Sequence, residues 1–218
     1  MEYSLVVFDW DGTLMDSTPA IVAAMQAACR DLGLPEPPDE MANWVIGLGL
    51  EDALKTAVPS LREEQWPDFV QRYRYHYLTR DPEVRLFDGV ANLIESLANR
   101  GVWLAVATGK SRKGLTRALR NTGLTDAFHA SRCSDETFSK PHPAMLLEIM
   151  DELGVDRRET VMIGDTAHDL NMALNACVHG VGVCYGAHPI NELQVCSPAA
   201  LVHSVPELAD WLLPRVRA

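Results

Sequence analysis

Short apolar runs rich in β-branched residues recur along this chain, with helix-patterned segments between them, and that alternation limits what it can fold into. Residues 3–8, 102–108, 127–131, 160–163 and 178–184 read as five candidate strands, the third of them weak. Val90, Leu93, Ile94, Leu97 and Ala98 fall at the i, i+3, i+4, i+7, i+8 positions of an amphipathic helix, and Gly101 comes next as a stop signal. Leu170, Ala173, Leu174 and Cys177 fit the same template. Pro143, ahead of the run AMLLEIMDELG, suits the first position of another helix. Strands separated by helices predict an α/β fold, a doubly wound parallel sheet with helices on both faces.

Residues 17–82 break the rhythm. They contain no convincing strand. Ser17-Thr18-Pro19 reads as a helix start, and Ile21, Met25, Ala28, Cys29 and Leu32 form a helical face. Ser60-Leu61-Arg62-Glu63 has a capping-box pattern. Trp66, Val70, Tyr73 and Tyr77 then make an aromatic stripe at helical spacing, the pattern of a packed face. The expected organisation is a Rossmann-like core from residues 1–16 and 83–218, with a helical cap inserted as 17–82. Asp81-Pro82 is expected to act as a hinge.

The sequence has 218 residues and a net charge of −11. So acidic a surface argues against nonspecific nucleic-acid binding and against anionic membranes. No apolar run reaches the roughly 18 residues of a spanning helix. Met1-Glu2-Tyr3 lacks the basic and apolar regions of a signal peptide. The cysteines, at 29, 133, 177, 184 and 196, are odd in number and form no CxxC pair. They are expected to be free, mostly buried thiols in a reducing cytoplasm.

The chemistry lies in the residues just past each strand, because an open α/β sheet presents its strand ends to one crevice. After the first strand comes Asp9-Trp10-Asp11-Gly12-Thr13, and after the second Thr108-Gly109-Lys110-Ser111. Past the third lies Ser139-Lys140-Pro141, and after the fourth Gly164-Asp165-Thr166-Ala167-His168-Asp169. Each is ordinary alone: Asp-Gly is a common turn, and Gly-Asp before a helix a common cap. Together they bring three acids, a hydroxyl and an ammonium to one place. Clustered carboxylates are hard oxygen ligands suited to Mg²⁺. A fixed hydroxyl and a lysine beside them suit a tetrahedral oxyanion. The implied ligand is a phosphoryl group.

Asp9-x-Asp11-Gly12-Thr13, Thr108, Lys140 and Gly164-Asp165-x-x-x-Asp169 resemble, in order, the four motifs of the haloacid dehalogenase superfamily. The insertion after the first strand resembles that family's first-type helical cap, and the group most similar is the phosphoglycolate-phosphatase-like enzymes. The resemblance implies an Mg²⁺-dependent phosphatase acting on a small phosphorylated metabolite through an aspartyl phosphate. It assigns Asp9 as nucleophile and Asp11 as general acid and base. The metal falls to Asp9, Asp165 and the backbone carbonyl of Asp11, with Asp169 anchoring Lys140 or a metal-bound water rather than the metal. Gly12, Thr13, Thr108, Gly109 and Lys140 are expected around the phosphoryl group. The 44–50 loop, with Gly47 and Gly49, lies where related caps carry a specificity loop. An acid at position 11 argues for phosphoester chemistry and against C–halogen or C–P cleavage. A sugar phosphomutase of the same superfamily is the alternative. A receiver-type phospho-aspartate module fits less well, since its acids and its phosphorylated Asp lie on different strands. Neither substrate nor oligomeric state is fixed by the sequence.

Overall fold

The computed structural model describes residues 2–80 and 83–217; the expected hinge at Asp81-Pro82 lies outside them. The sheet is built from β1 (Leu5–Phe8), β2 (Trp103–Thr108), β3 (Ala130–Cys133), β4 (Thr160–Gly164), β5 (His179–Val183) and β6 (Ala200–Val202). All neighbours pair in parallel, in the order β3-β2-β1-β4-β5-β6. This is the doubly wound order, with β1 at the point where the direction of winding reverses.

β1 shows why the strand is apolar throughout. Leu5 and Val7 face a core layer with Met145, Leu146 and Ile149, from α7 (Ala144–Leu153), and with Met172 of α8 (Ala167–Ala176). Val6 and Phe8 face the opposite layer, with Leu93, Ile94 and Leu97 of α5 (Val90–Ala98) and Leu115 of α6 (Arg112–Thr122). All four β1 side chains are fully buried. Each such burial contributes roughly 1.5–3 kcal/mol before chain entropy is charged against it.

Between β1 and α5 lie α1 (Thr18–Asp31), α2 (Asp39–Trp44), α3 (Leu50–Ala57) and α4 (Trp66–Arg80). They bury their own apolar cluster, which includes Met25, Ala28, Cys29, Leu54, Phe69 and Tyr77. The chain leaves the core and returns to it side by side. Met15 bridges Leu86 in antiparallel fashion, Asp16 donates its amide to Arg85, and Phe87 donates its amide to Leu14.

Several sequence expectations shift. β1 starts at Leu5, with Tyr3 making a separate bridge to Val216. β3 begins three residues later than expected, and β6, a three-residue run, has no counterpart among the expected strands. Pro143 caps α7 from just outside it. The expected capping box of Ser60 and Glu63 is replaced by a reciprocal pair in which the Arg62 amide donates to Gln65 Oε1 at 3.3 Å and the Gln65 amide donates to the Arg62 carbonyl at 2.9 Å. On α4, Phe69 and Tyr77 are the buried residues, with Trp66, Val70 and Tyr73 half-buried. α8 buries Leu170, Met172, Ala173 and Ala176, and leaves Leu174 and Cys177 exposed. All five cysteines are free, but only Cys29 and Cys133 are buried. The remaining helices, α9 (Ile190–Val195) and α10 (Val205–Leu212), flank β6.

Candidate active site

Asp9 is the first residue past β1, and its carboxylate is buried. Oδ1 accepts a hydrogen bond from Lys140 Nζ at 2.5 Å, while Oδ2 is buried without a hydrogen-bond partner. The chain then turns sharply. Gly12 sits at φ +82°, and a Cβ there would lie 2.2 Å from Asp165 Oδ2, so only glycine fits. Asp165, just past β4, accepts from the Thr13 hydroxyl at 2.7 Å and from the Ala187 amide at 2.7 Å. The Thr13 side chain, expected at the phosphoryl group, is therefore committed to orienting Asp165.

Asp169 lies on the first turn of α8. Its Oδ2 accepts from the amide and hydroxyl of Thr166, at 3.1 and 2.6 Å, which caps the helix. Its Oδ1 lies 2.7 Å from Lys140 Nζ. Lys140 thus sits between Asp9 and Asp169, fully buried with both.

Oxygen atoms of Asp9, Asp165 and Asp169 all come within 4.8 Å of one another. Three buried carboxylates face one ammonium, an imbalance visible in their acidities. Burial, then its neighbours Asp169 and Asp165, pushes Asp9 well above the usual carboxylate range, with Lys140 opposing. Burial and Asp169 push Asp165 up to about 7, with the Ala187 amide and Thr13 hydroxyl opposing. Burial alone would lower Lys140, but Asp169 and Asp9 raise it further still. A hard divalent cation fits this donor set: the oxygens are of the right kind, one is orphaned, and the cluster is short of positive charge.

Asp11 has a different setting. Its Oδ1 accepts from Ser17 Oγ at 2.5 Å and lies 2.9 Å from Lys110 Nζ. Lys110 also donates to the Tyr77 hydroxyl of α4 at 3.2 Å, with its ammonium 4.9 Å from that ring. Burial is the largest single influence on Lys110 and lowers its pKa, but Asp11, Tyr77 and Tyr73 together raise it above the ordinary lysine value, so the ammonium is held. Thr108 is buried at the end of β2, and its Oγ1 accepts the Lys110 amide at 3.1 Å.

The 44–50 loop closes over these strand ends. A Cβ on Gly109 would lie 2.4 Å from the Leu48 carbonyl oxygen and 2.6 Å from that of Gly47, so only glycine permits this approach. Gly47, at φ +92°, faces the Thr166 side chain, and the Gly49 amide donates to Ser139 Oγ at 2.8 Å. Beside this loop, Leu48, Asp52, Ser139, Lys140 and Pro141 line a cavity of about 500 Å³.

The model of the haloacid dehalogenase-like hydrolase family matches residues 6–183, a span running from β1 through β5. The chain belongs to this family. It is 36% identical over 211 residues to "Probable phosphatase IndB" of Dickeya dadantii, covering 94% of this chain and 91% of that one. It is 32% identical over 199 residues to the phosphoglycolate phosphatase of Agrobacterium fabrum, covering 87% and 85%. A hydrolase from Pseudomonas syringae shares the fold at a TM-score of 0.89 and 23% identity, over 98% of this chain and 99% of that one. These likenesses put this haloacid dehalogenase-like hydrolase among the family's phosphatases.

The sequence marks Ser17 only as a helix start and Tyr77 only as part of a packed stripe, and it singles out neither His188 nor the pairing of Lys110 with Asp11. Lys110 alone carries a signal, as the ammonium nearest the end of β2. The others reach the crevice by tertiary contacts with no local pattern.

Proposed function

We propose that this haloacid dehalogenase-like phosphatase hydrolyses a small phosphomonoester through an aspartyl phosphate on Asp9, with Mg²⁺ as cofactor. The observation that carries the reading is Asp9 itself. One of its oxygens is fixed by Lys140, and the other is buried, unpartnered and beside two further carboxylates. A carboxylate so held is pre-aimed and not solvated, as a nucleophile should be. Asp9, Asp165 and the Asp11 carbonyl would hold Mg²⁺, while Asp169 is engaged by Lys140 and Thr166. When bound, Mg²⁺ supplies the positive charge that lets a phosphoryl anion come up to these acids.

The chain's own groups divide the work. Asp9 attacks phosphorus, and the P–O bond to the alcohol breaks. Asp11 gives the leaving oxygen its proton. In the second step Asp11 takes a proton from the water that hydrolyses the acyl phosphate, restoring both acids. Lys110 and Ser17 fix the Asp11 side chain in place for both transfers. Lys140, the Thr108 hydroxyl and the Gly109 amide stabilise charge on the transferring group. The 44–50 loop over the strand ends favours substrates small enough to fit beneath it.

The test is to trap the intermediate. Asp11→Asn, exposed to p-nitrophenyl phosphate and acid-quenched, is expected to carry phosphate on the peptide containing Asp9. Phosphate on another residue, or none during a nitrophenol burst, overturns the assignment. Excess chelator is expected to abolish turnover. Oxygen-18 from labelled water should appear in free phosphate, an outcome a phosphomutase would not give.

A further inference from the structure

Two histidines that none of the four motifs specifies converge on one backbone atom. His168 on α8 and His188 in the loop after β5 both bring Nε2 to the carbonyl oxygen of Trp44, at 2.8 and 2.9 Å. A carbonyl oxygen has two lone pairs, and this arrangement uses both. The carbonyl only accepts, so each Nε2 must carry a proton. His188 Nδ1 accepts the Ala167 amide at 3.1 Å, which fixes the same tautomer independently. The Trp44 indole then stacks on the His188 ring at 4.5 Å and 10°, with His168 edge-on at 5.6 Å.

Trp44 ends α2 in the helical insertion, whereas both imidazoles belong to the core. An ordinary buried histidine satisfies itself within its own surroundings. Here, two from separate core elements reach one atom of a segment that closes over the carboxylates. The next residues, to Gly49, are those lying against Gly109 and Ser139.

We infer that His168 and His188 are positioning residues that latch the 44–49 segment of the insertion over the crevice through the Trp44 carbonyl. They touch neither the phosphoryl site nor the nucleophile. Their effect is to set how often the cover stands open.

The Gly49 amide provides the readout. Its acceptor, Ser139 Oγ, is on the core, so its protection from hydrogen exchange reports docking of the segment. The Ile46 amide bonds to Asn43 within the insertion and serves as the internal control. In the full-length protein, His168→Ala and His188→Ala should each speed exchange at Gly49 by roughly two- to tenfold, the worth of one hydrogen bond. Exchange at Ile46 should stay unchanged, and His188→Gln, which keeps an N–H donor, should restore part of the protection. Unchanged Gly49 exchange overturns the latch. So does a parallel rise at Gly49 and Ile46, which would mean general loosening. Should an alanine variant fail to fold, His168→Phe keeps a packed ring and removes only the N–H donor to the Trp44 carbonyl. It too must speed Gly49 exchange, or the latch is wrong. None of these measurements depends on phosphatase activity, so they stand or fall separately from the proposed reaction.

Discussion

The sheet core and the helical insertion meet at the same crevice but bring different materials to it. The core supplies charge: Asp9, Asp11, Asp165, Asp169, Lys110 and Lys140 all lie past the ends of core strands. The insertion supplies backbone carbonyls, a tyrosine hydroxyl and an indole. Charged groups need rigid support and exclusion of water, and parallel strand ends provide both. A covering segment has to come and go, and neutral, directional contacts let it do so without stranding a buried charge. On the proposed reading, the chemistry belongs to one region and selection of what enters to the other.

The first way to break that division is Asp9→Asn. The amide cannot form the acyl phosphate, so turnover should fall to background while the fold persists; residual turnover beyond contamination would put the nucleophile elsewhere. Next is Asp11→Asn. In single-turnover measurements, phosphorylation by an alkyl phosphate should slow by about 10²–10⁴-fold. Phosphorylation by p-nitrophenyl phosphate should slow much less, because nitrophenolate leaves without a proton. Equal losses would make Asp11 a positional residue. Phe69→Ala tests the insertion's separate core. It empties a fully buried position and should cost about 3–5 kcal/mol in denaturant unfolding. If the two apolar clusters are distinct, amide protection in β1 and β4 should hold while that in α1 and α4 falls. The smallest effect belongs to Tyr77→Phe, which removes one hydrogen bond to Lys110, worth about 0.5–1.5 kcal/mol. It should raise KM more than it lowers kcat; a purely kcat effect would bring the insertion into the chemistry and erase the distinction.

The same division marks how much can be read from the residues alone. Acids at the ends of β1 and β4 are legible because strand order comes from β–α alternation, and strand ends share one edge. The insertion is legible as a gap in that alternation. The features that escape are set by distance in the chain. Ser17 reads locally as a helix start, yet its hydroxyl donates to Asp11, and no side-chain bond caps α1. Tyr77 reads as packing, and its ring does pack, but its hydroxyl meets Lys110. Thr13 lies inside a specific motif, and nothing in that motif tells that its hydroxyl donates to Asp165 across the chain. β6 is too short to show a period, and a half-buried, three-residue run gains its place from pairing with β5.

The paired segments that carry the chain out to the insertion and back have a bearing on how such a protein can change. Leu14, Met15 and Asp16 run against Arg85, Leu86 and Phe87, joined by backbone bonds on the core's side of the boundary. The ends of the intervening chain are thus already brought together, whatever lies beyond them. Lengthening such a closed stretch costs only about 0.6 kcal/mol for each doubling. The sheet need not be rethreaded, nor its strand order disturbed, for that stretch to grow, shrink or be replaced. This stalk makes the molecule a socket: the sheet and its strand ends can stay constant while the part plugged between the paired segments is exchanged.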